Sequence, residues 1–165
     1  VQEIDKLYLL RGAGPVDADD IAAAVADSAR FDVFSLVDAA LAGDGSRTVR
    51  MLQGLRGEGT PSAVVLWALS REARQLAAMA RLVAAGQAVP KVLAQYRVWQ
   101  NRKTVVGSSL QRLARQRGEG ARLLQRCALV DRVIKGQAAG NEWDELLQLL
   151  LLLAGVKGIP ASELT

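Results

Sequence analysis

The side chains most often used in enzymatic catalysis are scarce in this sequence. Its 165 residues include no histidine, which removes the commonest general base near neutral pH and the commonest transition-metal ligand. The single cysteine, Cys127, falls on an apolar stripe with Leu123, Val130 and Ile134, a position typical of a buried hydrophobic side chain rather than a reactive thiol. Ser-His-Asp, Cys-His and histidine-containing zinc sites are therefore excluded.

Carboxylate clusters and glycine pairs are the remaining candidates for catalytic or phosphate-binding chemistry. No glycine pair is followed by the Gly-Lys-Ser/Thr of a P-loop, so we interpret the pairs as turns. Both carboxylate clusters fall in the first turn of a predicted helix, where the helix dipole favours negative charge. The clusters are Asp17, Asp19 and Asp20, and Glu142, Asp144 and Glu145. We expect this chain to hold no cofactor or metal and not to act as an enzyme by itself.

One aromatic residue lies among cations at a point where the apolar periodicity lapses. Trp99 follows Arg97 and precedes Arg102 and Lys103, just before a predicted helix. Such a ring suits stacking on an unpaired base while the cations hold phosphates. Tryptophan is also often buried, so the alternative is that Trp99 fills the core. The sequence thus predicts a candidate nucleic-acid contact at Trp99, Arg97, Arg102 and Lys103, with burial of the tryptophan left open.

Charge is distributed unevenly along the chain. Residues 1–44 hold nine acidic and three basic side chains, whereas residues 91–135 hold eleven basic and two acidic ones. A basic block of this kind attracts nucleic acid, although amphipathic helices also need a solvated face and often use arginine for it. A stand-alone basic helical protein that binds nucleic acid is therefore the alternative function to the one developed below.

These side chains must be positioned by helices. Half of the residues are apolar and strong helix formers dominate, which predicts an all-α helical bundle. The apolar stripe of the first regular helix includes Phe34 and Val37, and Thr60-Pro61 predicts a cap followed by proline at the first helical position. The expected helices are Phe31 to about Gly43, about Ser46 to Leu55, Pro61 to about Ala85, Pro90 to Tyr96, about Arg102 to Gln116, about Gly120 to Lys135, and a last helix capped by Asn141.

The last helix carries seven leucines between Leu146 and Leu153, which covers its whole circumference. A helix that is apolar all round must be covered on all sides. It is therefore either the central helix of the domain or a helix with one face against another subunit. Trp143 and Leu147 are the candidate anchors of such a subunit interface, because large apolar groups carry most of the binding energy.

The two ends of the chain differ from this regular pattern. Residues 1–28 predict two short helical pieces, at Val1 to Leu10 and at Asp17 to about Val25, and the first begins without methionine or an N-cap, as if it were the tail of a longer helix. Residues 155–165 are aperiodic. No signal peptide is recognisable, and the longest apolar run is too short to cross a membrane, so we expect a cytoplasmic protein.

Four segments resemble a known family, the delta subunit of the bacterial DNA polymerase III clamp loader. Phe31 to Asp44 looks like the helix that opens the collar domain of that subunit, and Leu66 to Glu72 fits its long collar helix. The run from Arg97 to Lys103 is similar to the family's RVWQNR stretch. Val130 to Gly136 is similar to its D-x-x-I-K-G segment.

The resemblance implies an architecture and a role. It makes residues 1–28 the end of an AAA+-like lid domain, residues 29–154 a helical collar domain and residues 155–165 a tail. The collar would join delta-prime and the ATPase subunits in a ring that loads the sliding clamp onto primed DNA during replication. The resemblance implies contact with primer-template DNA only in the assembled complex, and contact with the clamp only through an N-terminal module outside this sequence.

Overall fold

The computed structural model describes residues 32–116 and 118–156. Within these ranges the chain forms seven α-helices and one short 3-10 helix, and no strand. The predicted all-α fold class is confirmed. The helices are α1 (residues 32–41), α2 (Gly45–Gly57), α3 (Ser62–Ala84), α4 (Val89–Gln95), α5 (Lys103–Arg115), α6 (Glu119–Ile134) and α7 (Glu142–Ala154), with the 3-10 helix Gln100–Arg102 before α5.

The turn between α1 and α2 follows the signals in the sequence. Gly43 ends α1 with φ at +76°, a left-handed conformation in which glycine has no steric cost. Asp44 then caps α2, because its carboxylate accepts a hydrogen bond from the Arg47 backbone N–H at 3.0 Å. Thr48 closes the first turn by donating its hydroxyl to the Asp44 carbonyl at 2.7 Å. The short connection fixes α2 directly after α1.

Helix α3 is the centre of the bundle and packs against α4, α5, α6 and α7. Helical periodicity predicts a buried stripe of Val65, Leu69, Leu76 and Val83 on this helix. The first three are buried and Val83 is half-buried. The predicted start was wrong by one residue, because Pro61 is extended, with φ at −61° and ψ at 130°, and therefore precedes the first helical turn as the N-cap. Thr60 is buried and does not cap the helix.

Helix α7 packs against α2, α3 and α6. Four of its leucines are buried and three are half-buried, so the leucine-covered helix is not enclosed on every side. The central position that one prediction gave to this helix belongs to α3. The buried leucines are Leu146, Leu149, Leu150 and Leu153, and the half-buried ones are Leu147, Leu151 and Leu152.

An arginine from α5 secures the C-terminal end of α7. Arg112 donates from Nη1 to the Ala154 carbonyl at 2.7 Å and from Nη2 to the Leu153 carbonyl. These carbonyls have no partner within the helix, so the guanidinium satisfies groups that the helix end leaves open. Gly155 follows with φ at +74°, and a Cβ atom there would lie 2.6 Å from Arg112 Nη1. The left-handed backbone and the close packing of Arg112 both favour glycine at this position.

The predictions made for both ends of the chain lie outside the described residues. This applies to the two helical pieces in residues 1–28 and to most of the tail at residues 155–165. In the ranges that the structure covers, no helix is both long and apolar enough to cross a membrane.

Candidate functional site

Trp99 lies in a short segment between α4 and the 3-10 helix. Its backbone is extended, with φ at −61° and ψ at 146°. Its side chain is 77% exposed, the largest exposure among the large hydrophobic residues that the structure describes. The alternative in which Trp99 fills the core of this domain does not hold in this structure. A large aromatic ring in water is available for contact with a partner.

Arg97, two residues earlier, adopts an unusual backbone conformation. The end of α4 forms a Schellman motif, in which the Arg97 N–H donates to the Ala94 carbonyl and the Val98 N–H donates to the Leu93 carbonyl, both at 3.0 Å. The motif requires a left-handed residue, and Arg97 has φ at +51°. Among the described residues it alone combines a positive φ with a side chain, since glycine occupies the other such positions. Arg97 is exposed and lies two residues before Trp99 in the sequence.

Arg102 has a different environment from the other predicted nucleic-acid residues. Its Nη2 atom lies 2.7 Å from Asp38 Oδ1 on α1 and 3.2 Å from Glu72 Oε2 on α3. Its Nε atom also donates to Asp38 Oδ1 at 2.8 Å. Burial lowers the pKa of Arg102, but the two carboxylates outweigh burial and leave this pKa above its ordinary value. The guanidinium therefore joins three parts of the fold, which leaves little of it for a phosphate.

Lys103 begins α5 immediately after this ion-pair cluster. Its side chain is half-buried, and it is not in an ion pair with any other described residue. Of the four residues predicted to contact nucleic acid, Trp99 and Arg97 are exposed, Lys103 is partly accessible and Arg102 is engaged within the fold. The chain brings them together locally, but the tertiary structure gives them separate roles.

The predicted interface residues Trp143 and Leu147 lie on one side of α7. Both are half-buried and pack against the core. They line a shallow cleft of about 90 Å³ together with residues of α2 that include Val49 and Arg56. A second cleft, of about 280 Å³, separates α7 from α6 and is bordered by Leu152. Helix α7 therefore presents apolar side chains at two partly open edges.

Two of the three carboxylates in the first turn of α7 have partners within the fold. Glu142 accepts a hydrogen bond from the Ser62 hydroxyl at 2.7 Å, and Glu145 lies 2.6 Å from the Arg126 guanidinium. Asn141 caps the helix as predicted, by accepting from the N–H groups of Trp143 and Asp144. The described residues contain no group of three or more potential metal ligands. All three carboxylates lie in the first helical turn, where the helix dipole favours negative charge.

Cys127 is buried, as its position on the apolar stripe predicted. Burial raises the pKa of its thiol, against smaller opposing effects from the Ser70 hydroxyl and the Arg74 charge. A thiol held in its neutral form is a poor nucleophile. Cys127 therefore acts as a core side chain.

An exposed aromatic pair was not predicted from the sequence. Phe34, which the periodicity placed on a buried stripe, is 39% exposed and meets Trp67 of α3 with ring centroids 6.0 Å apart at an interplanar angle of 66°. This edge-to-face contact joins α1 to α3 at the surface. Its neighbours Val33, Leu36 and Val37 on the same helix are buried, and periodicity alone could not separate Phe34 from them.

Comparison with known proteins gives concordant matches. A family model described as "Processivity clamp loader gamma complex DNA pol III C-term" matches residues 33–160. The chain is 35% identical over 153 residues to the DNA polymerase III subunit delta of Escherichia coli (strain K12), covering 92% of this chain and 43% of that relative. It is 27% identical over 156 residues to the DNA polymerase III subunit delta of Haemophilus influenzae, covering 90% and 45% respectively. The chain thus spans less than half of either relative.

Proposed function

Since this chain belongs to the family of C-terminal regions of the DNA polymerase III clamp-loader delta subunit, we propose that it is the collar module through which such a subunit joins its loader complex. The resemblance drawn from the four sequence segments is confirmed at the level of the family. The assembly role, its partners, the division of the chain into lid end, collar and tail, and a cytoplasmic location are parts of the proposal.

The observation that carries the proposal is the partly uncovered leucine helix α7. Trp143 and Leu147 border the cleft against α2, while the opposite edge of the helix reaches the cleft against α6. Removal of half-buried apolar side chains of this size from water by a partner is favourable and stabilises the complex. In the proposed complex the partners are delta-prime and the ATPase subunits, and α7 supplies the anchors.

The test is co-purification of the 165-residue chain with the matching delta-prime and ATPase subunits, with the stoichiometry measured by size-exclusion chromatography. We expect Trp143→Ala and Leu147→Asp each to reduce incorporation by about tenfold or more. Arg56→Glu adds a variant at the exposed rim of the same cleft that leaves the core untouched. Trp67→Ala is the matched control, because it removes an exposed tryptophan from a different helix.

The outcomes separate an interface from a structural role. Circular dichroism first establishes that each variant remains helical. Normal assembly of folded Trp143→Ala, Leu147→Asp and Arg56→Glu chains would refute the proposed interface. If Trp67→Ala reduces incorporation into the complex equally, the assay responds to the loss of any exposed tryptophan rather than to changes in this cleft.

A second part of the proposal concerns DNA in the assembled loader. The 77% exposure of Trp99 and the exposed guanidinium of Arg97 fit stacking on an unpaired base with an adjacent phosphate contact. Arg102 is assigned to holding this segment on α1 and α3, because its guanidinium is bonded to Asp38 and Glu72. A stand-alone nucleic-acid-binding protein is the less favoured function, since the matches point to a loader subunit.

A further inference from the structure

A broad groove lies on the side of the bundle formed by α3, α5 and α6, and the proposed function does not use it. Its volume is about 630 Å³. Among the residues that the structure describes, its lining includes six alanines, two leucines and two arginines but no acidic residue. Leu124 in its wall is 37% exposed. The groove therefore combines an apolar floor with positive charge.

Small residues create the shape of this groove. At its floor α6 approaches α3 so closely that a Cβ atom on Gly120 would lie 3.3 Å from Ala77. Above this contact Ala78, Ala114 and Ala121 have side chains too short to fill the space between the helices. The resulting depression can take up apolar side chains of moderate size from another molecule.

The charges of the groove have a regular spacing. Arg74 and Arg81 are both exposed and lie seven residues apart on α3, which places them about 10 Å apart along the same face of the helix. Among the ion pairs formed by the described residues, neither arginine takes part. Two cations beside an apolar floor complement a ligand that has an apolar face and acidic flanks.

We propose that this groove docks an amphipathic, acidic helix of a partner protein. Small apolar side chains of that helix occupy the alanine floor, and carboxylates two turns apart pair with Arg74 and Arg81. A nucleic acid fits less well, since the described part of the lining has no aromatic side chain for base stacking. The proposal does not rest on the proposed function, because it concerns a different face from the α2 and α7 cleft.

The experiment uses the 165-residue chain and synthetic helical peptides of about 18 residues, a length of about 27 Å. One peptide carries alanine and leucine on one face and glutamates seven residues apart on its flank, and its twin carries lysines in place of the glutamates. Fluorescence anisotropy measures the affinity of each. We expect the glutamate peptide to bind at least about tenfold more tightly than the lysine peptide.

Variants of the chain then assign the binding to the groove. The double variant Arg74→Glu with Arg81→Glu should weaken binding of the glutamate peptide by about tenfold and strengthen binding of the lysine peptide. Loss of structure could not produce such a reversal. Ala121→Trp, at an exposed position in the wall, should block both peptides. Arg71→Glu is the control, because it makes the same arginine-to-glutamate change on α3 at a position outside the groove.

Several results would overturn the proposal. These are equal affinities for the two peptides, no effect of Ala121→Trp, or no binding of the glutamate peptide at about 100 µM. Binding of a single-stranded oligonucleotide is the other outcome to be measured. If the arginine double variant abolishes oligonucleotide binding but leaves binding of the glutamate peptide unchanged, the groove is a nucleic-acid surface instead.

Discussion

Two neighbouring regions, one just before the 3-10 helix and one at the last residue of that helix, use cationic side chains in opposite ways. The side chains of Arg97 and Trp99 are exposed, and Arg97 adopts a left-handed backbone conformation although it is not glycine. At Arg102 the guanidinium turns inward and pairs with Asp38 and Glu72. The second region holds the first one in place, so a basic sequence segment can combine a structural anchor with a surface that is open to a partner.

Removal of the anchor should have the largest effect on stability. Arg102→Met leaves Glu72, whose side chain is only 11% exposed, without its charge partner. We expect the free energy of unfolding to fall by about 2 to 3 kcal/mol, less than for a fully buried pair because Asp38 is partly solvated. Urea unfolding followed by circular dichroism measures the change. Arg71→Met, an exposed arginine on α3, should change it by less than about 0.5 kcal/mol, and a similar loss in both variants would remove the distinction between the two regions.

Removal of the exposed ring should have an intermediate effect, confined to binding. Within an assembled loader, Trp99→Ala should weaken primer-template binding by about tenfold, because stacking contributes about 1 to 3 kcal/mol per base. Subunit assembly and unfolding should remain unchanged, since 77% of the side chain is already in solvent. Binding is measured by fluorescence anisotropy with a labelled primer-template.

Trp67→Ala serves as the control for Trp99→Ala, because Trp67 is a second exposed tryptophan, at 46%, on α3. If DNA affinity is unchanged in the Trp99 variant, the exposed region is not a DNA contact. If Trp99→Ala unfolds the domain, its side chain supports the fold despite its exposure.

The smallest expected effect is a gain in stability at Arg97. Arg97→Gly places the preferred residue in the left-handed position of the Schellman motif and should raise the free energy of unfolding by about 0.5 to 1 kcal/mol. The same change removes an exposed cation beside Trp99, so DNA binding by the assembled loader should weaken. Thermal or urea unfolding and the DNA-binding assay together show whether stability and binding move in opposite directions. A loss of stability would indicate that the arginine side chain supports the end of α4.

Much of the secondary structure could be predicted because its determinants are local. The ends of α1 and α2, the Asn141 cap and the loop at residues 136–140 follow from side chains a few positions apart, such as a capping carboxylate or a glycine that accepts a positive φ. The start of α3 was misplaced by one residue, since proline is compatible with both the N-cap and the first helical position and the sequence does not distinguish them.

The sequence by itself determined the helical class of this protein, the approximate positions of its helices in the described residues and, through segments spread along the chain, the family to which it belongs. Only the tertiary structure decided which basic residues remain accessible. Arg102 and Asp38 are 64 positions apart, and nothing within one helical turn of either indicates the partner. The exposures of Phe34 and Trp99 likewise depend on which face of a helix or loop another helix covers. Burial and ion pairing arise from contacts between distant segments, whereas periodicity and capping are properties of neighbouring residues.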